Sequence, residues 1–463
     1  MYSPIERKLS NGVLPIKFFL TSELLPDAET MAQLDYLASA AGLNHHVAVL
    51  PDIHRKSRNL TPTGTVVAAK NMLVPRAVDT GINCGISMIR TEINLREFSP
   101  AALDNFFGEL MRTVPVHEHE HDILSETDVK DILVHGGAWC QKRFGFSETE
   151  LEAFENRATM SANAESSEAI GSIPQRAIAR GQRCFGTLGD GNHFLELQEI
   201  AEVLDTDIAN RLGLFKGQAF FMLHTGSRGL GSKTMKTLLK KMDEQLPPTS
   251  GLNSIPHLRS IPVDSEEGSK FTHALCGVAN FGFANRMAII EKLRAAIRAA
   301  LHDQSLSLPV LYDCAHVSIK SEQWNGERLW VHRHGASRAL PPSQFADHPI
   351  FSRTGQPVPI PGSMGNDSFV GVAGERTVET FYSVNHGAGR VMDKPQAVEC
   401  FTEFQVESEM RAKNIRLYRY GSDNIAEQAP SAFKDISRVI QAMKALSLAR
   451  PVVRLRPVAV LKG

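Results

Sequence analysis

The spacing of apolar positions divides the chain into alternating helical and strand-like segments. Over 27–41, Met31, Leu34, Leu37, Ala38 and Ala41 fall on one helical face, and Gly42 can close the helix. The same period recurs over 229–246, after a glycine-rich turn, and over 281–301, where Met287, Ile290, Leu293, Ile297 and Leu301 share a face. It returns over 432–446, with Phe433, Ile436, Ile440 and Met443. Short apolar runs predict strands at 47–50, 65–69, 86–89, 219–223, 310–312 and 452–461. The stretch 115–180 is polar and predicts mostly helix, including 128–142 and 148–156. No internal repeat and no compositional break interrupts this mixture. It predicts a mixed α/β (α+β) fold, central β-sheets surrounded by helices, forming one large unit over 1–463.

A second pattern is laid over the first. A short apolar strand ends, a histidine follows at once, and Gly, Ser or Asn comes next. This happens at 51–54, 220–224, 311–316 and 382–386, ending on His54, His224, His316 and His386. Functional groups at strand ends of α/β proteins commonly line a shared crevice, which predicts an active site there.

Composition narrows the function. The 463 residues are 42% hydrophobic and 22% charged, as in a soluble globular enzyme. Lys+Arg total 50 against 51 for Asp+Glu, a net charge of −1. That excludes a globally basic nucleic-acid coat and a long acidic tail, so a polyanion must be held by a local patch. Candidate patches are Arg55, Lys56 and Arg58, then Arg228 and Lys233, then Arg333, Arg338 and Arg390. The six cysteines include no Cys-x-x-Cys pair, against a zinc ribbon or a thioredoxin-like motif. The N-terminus has no signal-peptide core and no apolar run reaches the roughly 20 residues of a membrane span. The expectation is a cytoplasmic protein with no membrane partner. Histidine is the unusual residue, with 17 copies.

Five constellations carry candidate chemistry. In 79–85, Asp79 and Cys84 stand among glycines, a carboxylate and a thiolate suited to a divalent metal; taken alone, a buried structural cysteine is the more frequent reading of Cys84. In 186–196, three glycines precede Asn192, His193 and Glu196, and such backbone nests favour phosphate. In 224–231, His224 and Arg228 sit in a Gly/Ser turn opening a helix, an anion site without the Gly-Lys-Ser/Thr ending of a Walker loop. In 313–316, His316 follows Asp313 and Cys314. In 382–390, His386 lies in a Gly-x-Gly-Arg loop, where an imidazole could attack phosphorus while Arg390 stabilises the charge. Together the five predict a metal-plus-phosphate active site. Imidazoles and a thiolate suit manganese or zinc, and the carboxylate and phosphate oxygens favour manganese.

These blocks resemble the RtcB-type RNA-splicing ligases, in order and over nearly the whole chain. The resemblance continues through Val331 to Ala336, Ile360 to Gly365, Phe433-Lys434-Asp435 and the terminal Leu455 to Gly463. It implies a GTP- and manganese-dependent ligase, with one or two Mn2+ ions. Such an enzyme joins an RNA 3′-phosphate or 2′,3′-cyclic phosphate end to a 5′-hydroxyl in tRNA splicing or RNA repair. His386 would carry GMP. The metal ligands would be Cys84, His193, His224, His316 and an acidic residue, here Asp79. Nucleotide contacts would come from Asn192, Ser363, Met364, Gly365, His386, Gly387, Gly389, Phe433 and Lys462, and RNA phosphates would meet Arg228 and Arg390. An archease-like activator joins the candidate partners.

The chain departs from that pattern near the site. The acidic ligand is expected three residues before the cysteine, where Gly81 stands; Asp79 lies five before it, and a two-residue bulge would return it to the metal. The loop after His54 is longer by two residues. Val317 replaces a usual Asn and His334 a usual Lys. The segment 117–121 alternates His and Glu and reads as a solvated strand or loop. Two other readings stay open: a nucleotidyltransferase of the same fold acting on 3′-phosphate DNA ends, and a non-catalytic RNA-end binder.

Overall fold

The computed structural model of the chain describes residues 3–8, 13–56, 59–161, 166–245, 258–421 and 424–463. Two sheets dominate. The first has six strands in the order Ile5–Arg7, Ile16–Phe18, Leu43–His54, Thr63–Ala69, Glu327–His334 and Val317–Trp324. The second runs Val310–Ala315, Gly85–Asn94, Gln218–Thr225, Phe194–Val203, Ala449–Lys462, Ser368–Ala373 and Pro357–Ile360, with Arg416–Arg419 parallel to the long C-terminal strand. The predicted α/β class is the observed one.

The second sheet packs one face on a helical layer. Its centre is the 35-residue helix Glu266–Ala300, which buries Phe271, Val278, Phe281, Met287, Ile290, Leu293 and Ile297. The apolar period predicts this helix only from 281. Upstream, Gly268, Gly277 and Asn280 blur the pattern, yet Ser265 caps the true start by accepting from the Gly268 N–H. The expected helix over 128–142 is instead two helices, Glu126–His135 and Gly137–Phe144. Gly136 separates them at φ +47°, where a Cβ would lie 2.5 Å from the Ala158 carbonyl oxygen. The helix expected over 432–446 begins later, at Ile436, because Asp435 caps it by accepting from the Ser437 N–H. It packs with Ala28–Ala38 in the core of the six-stranded sheet.

The chain passes directly from one sheet to the other at His316, between the strands Val310–Ala315 and Val317–Trp324. Pairings of Gly85 with Thr225 and Ala315, and of Phe194 with His224, align four strand ends of the second sheet. Val317 pairs with His334, and Ala336 with Asn385, bringing the six-stranded sheet and the His386 loop to the same place. Among the described residues, no helix is long and apolar enough to cross a membrane.

Candidate active site

The aligned strand ends open on one crevice of about 890 Å3. Its walls include Asp79, Cys84, Asn192, His193, His224, His316, Ser363, Met364, His386, Gly387, Gly389, Arg390, Phe433 and Lys462. Four of the strand-end groups converge. Cys84 Sγ lies 3.3 Å from His193 Nε2 and 3.2 Å from His224 Nε2, and the His224 and His316 Nε2 atoms are 3.2 Å apart. The donor atoms of Cys84, His224 and His316 all lie within 4.8 Å of one another.

The surroundings prepare this cluster for a cation. His224 Nδ1 lies 2.9 Å from the Asn192 carbonyl oxygen, which fixes its proton there and leaves the Nε2 lone pair facing Cys84 and His316. Burial holds His224 neutral, down to about 3, and pushes the Cys84 thiol up to about 11. A half-buried thiol and neutral, buried imidazoles with converging lone pairs are a donor set that a divalent transition ion completes, since the ion keeps the thiolate deprotonated.

His386 stands beside the cluster, its ring centroid 4.8 Å from that of His316. Its Nδ1 lies 2.6 Å from Asp52 Oδ2 and 2.9 Å from the Gly335 carbonyl oxygen. Both partners are acceptors, so the proton sits on Nδ1 and Nε2 keeps its lone pair. Asp52 is fully buried and comes from the strand Leu43–His54, 334 positions away in sequence. Gly389, at φ +74°, lets the His386 loop pass over that strand: a Cβ there would lie 2.2 Å from the Asp52 carbonyl oxygen. Asp52 lies in the segment 51–54, where His54 carries the sequence signal and nothing local marks Asp52.

Two buried ionic groups hold the strand ends in register. Arg286, on the long helix, makes a bidentate pair with Asp313 at 2.7 and 2.8 Å and donates to the carbonyl oxygens of Asn83 and Thr225. Those are the residues flanking Cys84 and His224. Glu155 accepts from the Ala315 N–H, next to His316, and pairs with Lys320 and Arg338. Against its burial, those two cations hold Glu155 down to about 2. Arg286 carries no sequence signal beyond being polar within an apolar helix, and Glu155 carries none within its polar segment.

The remaining predicted residues separate into groups. Phe433 stacks under the Arg390 guanidinium at 4.8 Å, and Arg390 donates to the Met392 and Glu427 carbonyl oxygens. Lys462 donates to the Gly191 carbonyl oxygen, anchoring the C-terminal strand beside the glycine-rich loop. Glu196 lines the crevice, and burial raises it to about 8. Gly365 lies behind the crevice wall, its carbonyl oxygen accepting from Lys413. Arg228 also stands behind the wall, donating to Thr187 Oγ1, the Val116 carbonyl oxygen and His193 Nδ1. Asp79 faces the crevice, but its carboxylate pairs with Lys56 and accepts from the Thr80 N–H at 2.6 Å. Asp79 is not part of the Cys84–His224–His316 group.

Two expected basic contacts are corrected. Arg333 is fully buried in a bidentate pair with Glu322, and Arg338 is spent on Glu155, so neither forms a surface for a polyanion. Arg55 and Lys56 do line the crevice, whereas Arg58 lies outside the described residues. His334 is buried against Thr61 and Thr63. The segment 117–121 is a loop, tied down through Glu118 to Arg180.

An imidazole with Nε2 free, a thiol and two imidazoles with converging donor atoms, and glycine loops beside cationic side chains share one crevice, an arrangement suited to phosphate esters. Residues 33–463 match the family model described as tRNA-splicing ligase RtcB. The tRNA-splicing ligase RtcB of Aeropyrum pernix is 34% identical over 96% of this chain and 93% of its own length. That of Pyrobaculum aerophilum is 32% identical over 97% and 95%, and that of Nanoarchaeum equitans 29% over 99% and 97%. The chain belongs to the RtcB family and is an enzyme of the ligase class.

Proposed function

We propose that this protein is a GTP-dependent RNA ligase of tRNA splicing or RNA repair, joining a 3′-phosphate or 2′,3′-cyclic phosphate end to a 5′-hydroxyl. The observation that carries this reading is His386, held by Asp52 and Gly335 with Nε2 free, beside the Cys84–His224–His316 cluster. In the first step His386 Nε2 forms a bond to the α-phosphorus of GTP, and the bond to pyrophosphate breaks. The ring gains positive charge, which the buried Asp52 carboxylate stabilises. Water first opens a 2′,3′-cyclic phosphate to the 3′-phosphate; that phosphate then takes GMP as the His386 N–P bond breaks, and the 5′-hydroxyl displaces GMP.

Cys84, His224 and His316 would hold a divalent ion, with manganese as the proposed metal. When bound, it would neutralise charge on the phosphate oxygens. Arg390 on Phe433 and Lys462 beside Gly191 place fixed positive charge along the same wall, and Phe433 offers a stacking face for the base. Asn192, through its carbonyl oxygen, orients His224 rather than leaving it to turn in the crevice. Covalent transfer of label from α-labelled GTP with manganese tests the reading, followed by sealing of RNA ends. Label transfer without RNA sealing, but with sealing of 3′-phosphate DNA, would favour the DNA-end reading; no label transfer at all would favour a non-catalytic binder.

A further inference from the structure

The same crevice holds a second set of groups that the proposed reaction does not use. Asp79, the carboxylate nearest in sequence to Cys84, is paired with the Lys56 ammonium, which reaches in from the lengthened loop after His54. The other Asp79 oxygen accepts from the Thr80 N–H at 2.6 Å. His193, which faces Cys84 from the other side, is oriented by Arg228: the guanidinium Nη1 lies 3.2 Å from His193 Nδ1. A guanidinium only donates, so Nδ1 is the acceptor and the neutral ring carries its proton on Nε2. That N–H points at Cys84 Sγ, 3.3 Å away, as a hydrogen-bond donor rather than as a lone pair for a metal. His224 is set the opposite way by the Asn192 carbonyl oxygen.

We infer that this centre holds a single divalent ion on Cys84, His224 and His316, and that the Lys56 ammonium, paired with Asp79, occupies the role of a second cation. The inference rests on the metal centre proposed above. Ligands about 2.2 Å from one octahedral ion lie roughly 3.1 Å apart when adjacent, and the 3.2 Å separations of Cys84 from His224 and of His224 from His316 suit such positions, with further positions left for phosphate oxygens. Charge points the same way. Two divalent ions about 4 Å apart need anionic ligands to offset them. Here the Cys84 thiolate supplies one negative charge, Asp79 is paired with Lys56 and Glu427 with Lys394, and Arg390 and Lys462 add positive charge to the same walls. His193 then serves to position the thiolate.

The position left by this exchange is Gly81. The Cys84 N–H donates to the Gly81 carbonyl oxygen at 3.0 Å, so a tight turn brings residue 81 beside the cysteine. Gly81 lines the crevice, and a Cβ there would meet nothing within 4 Å. A carboxylate fits at that point, and the chain instead carries glycine.

The test is the number of Mn2+ ions bound per full-length chain at saturation without nucleotide, read by elemental analysis and by electron paramagnetic resonance. The wild-type protein should hold one ion with the spectrum of an isolated Mn2+, and Asp79→Asn should leave the count at one. The double variant Lys56→Ala/Gly81→Asp, which removes the ammonium and returns a carboxylate, should hold two ions with a spin-coupled spectrum. Two ions in the wild type, falling to one in Asp79→Asn, would overturn the inference while leaving the proposed ligase centre standing. One ion in the double variant would overturn the role given to Lys56. No bound ion in the wild type would instead overturn the metal centre itself.

Discussion

Replacing Asp52 by Asn separates the charge behind His386 from its geometry. Asp52 Oδ2 accepts from His386 Nδ1 at 2.6 Å and from the His386 backbone N–H at 3.3 Å. An amide oxygen can occupy that place with both donors anchored, and the Gly335 carbonyl oxygen still accepts from Nδ1 at 2.9 Å. The tautomer that leaves Nε2 free therefore survives. What disappears is the negative charge that stabilises the ring as it bonds to phosphorus. A hydrogen bond to a charged group is worth about 1.5–3 kcal/mol against about 1 kcal/mol for a neutral pair. Asp52 is fully buried, so the upper part of that difference applies, about 2 kcal/mol. At 1.36 kcal/mol per tenfold this is about a thirtyfold slower guanylylation. Single-turnover transfer of label from α-labelled GTP measures it, with metal content and melting temperature as controls for the fold. A wild-type rate of label transfer in Asp52→Asn would refute the assignment of Asp52 as the group that readies His386.

His386→Ala should abolish covalent GMP while leaving the melting temperature nearly unchanged; retained labelling would move the nucleophile elsewhere. Cys84→Ala should lose bound manganese and ligation together, and full activity in that variant would remove the metal reading. Arg286→Ala strands the buried Asp313 carboxylate and frees the Asn83 and Thr225 carbonyl oxygens; a loss of about 3–5 kcal/mol is expected, seen as a lowered melting temperature with reduced metal affinity. The protein should also be acid-labile. Burial holds His46 and His332 down to about 4, against an ordinary 6.5, so below that value the unfolded chain takes up protons that the folded chain refuses. Stability is full above pH 6.5 and falls as pH drops towards 4, by about 2 kcal/mol per histidine at pH 5. A melting temperature that stays level from pH 7 to pH 5 would contradict this.

Most of the site was legible because its chemistry is concentrated at strand ends. An apolar run followed by His and then Gly, Ser or Asn marks a chain leaving a sheet at a polar crevice, and Cys84, His193, His224, His316 and His386 all line one cavity. Local signals were weaker where a residue serves two purposes. Gly136 sits inside an uninterrupted helical period, and only its contact with Ala158 requires the break. Arg333 and Arg338 read as surface charge, although Glu322, on the neighbouring strand, and Glu155, far off in a segment read as helix, draw them inward.

The sequence by itself determined the α/β class, the strand-end histidines and cysteine, and the glycine loops between them. These follow from periodicities and turn chemistry that act over a few residues. Only the tertiary structure decided which charge meets which. Asp52 reaches His386, Arg286 reaches Asp313, and Lys56 reaches Asp79 across 334, 27 and 23 positions. An ion pair or a histidine tautomer depends on atoms a few ångströms apart in space, and chain spacing carries no record of that distance. The sequence could offer Asp79 and His193 as donors to a metal. The fold set Lys56 on one and Arg228 on the other.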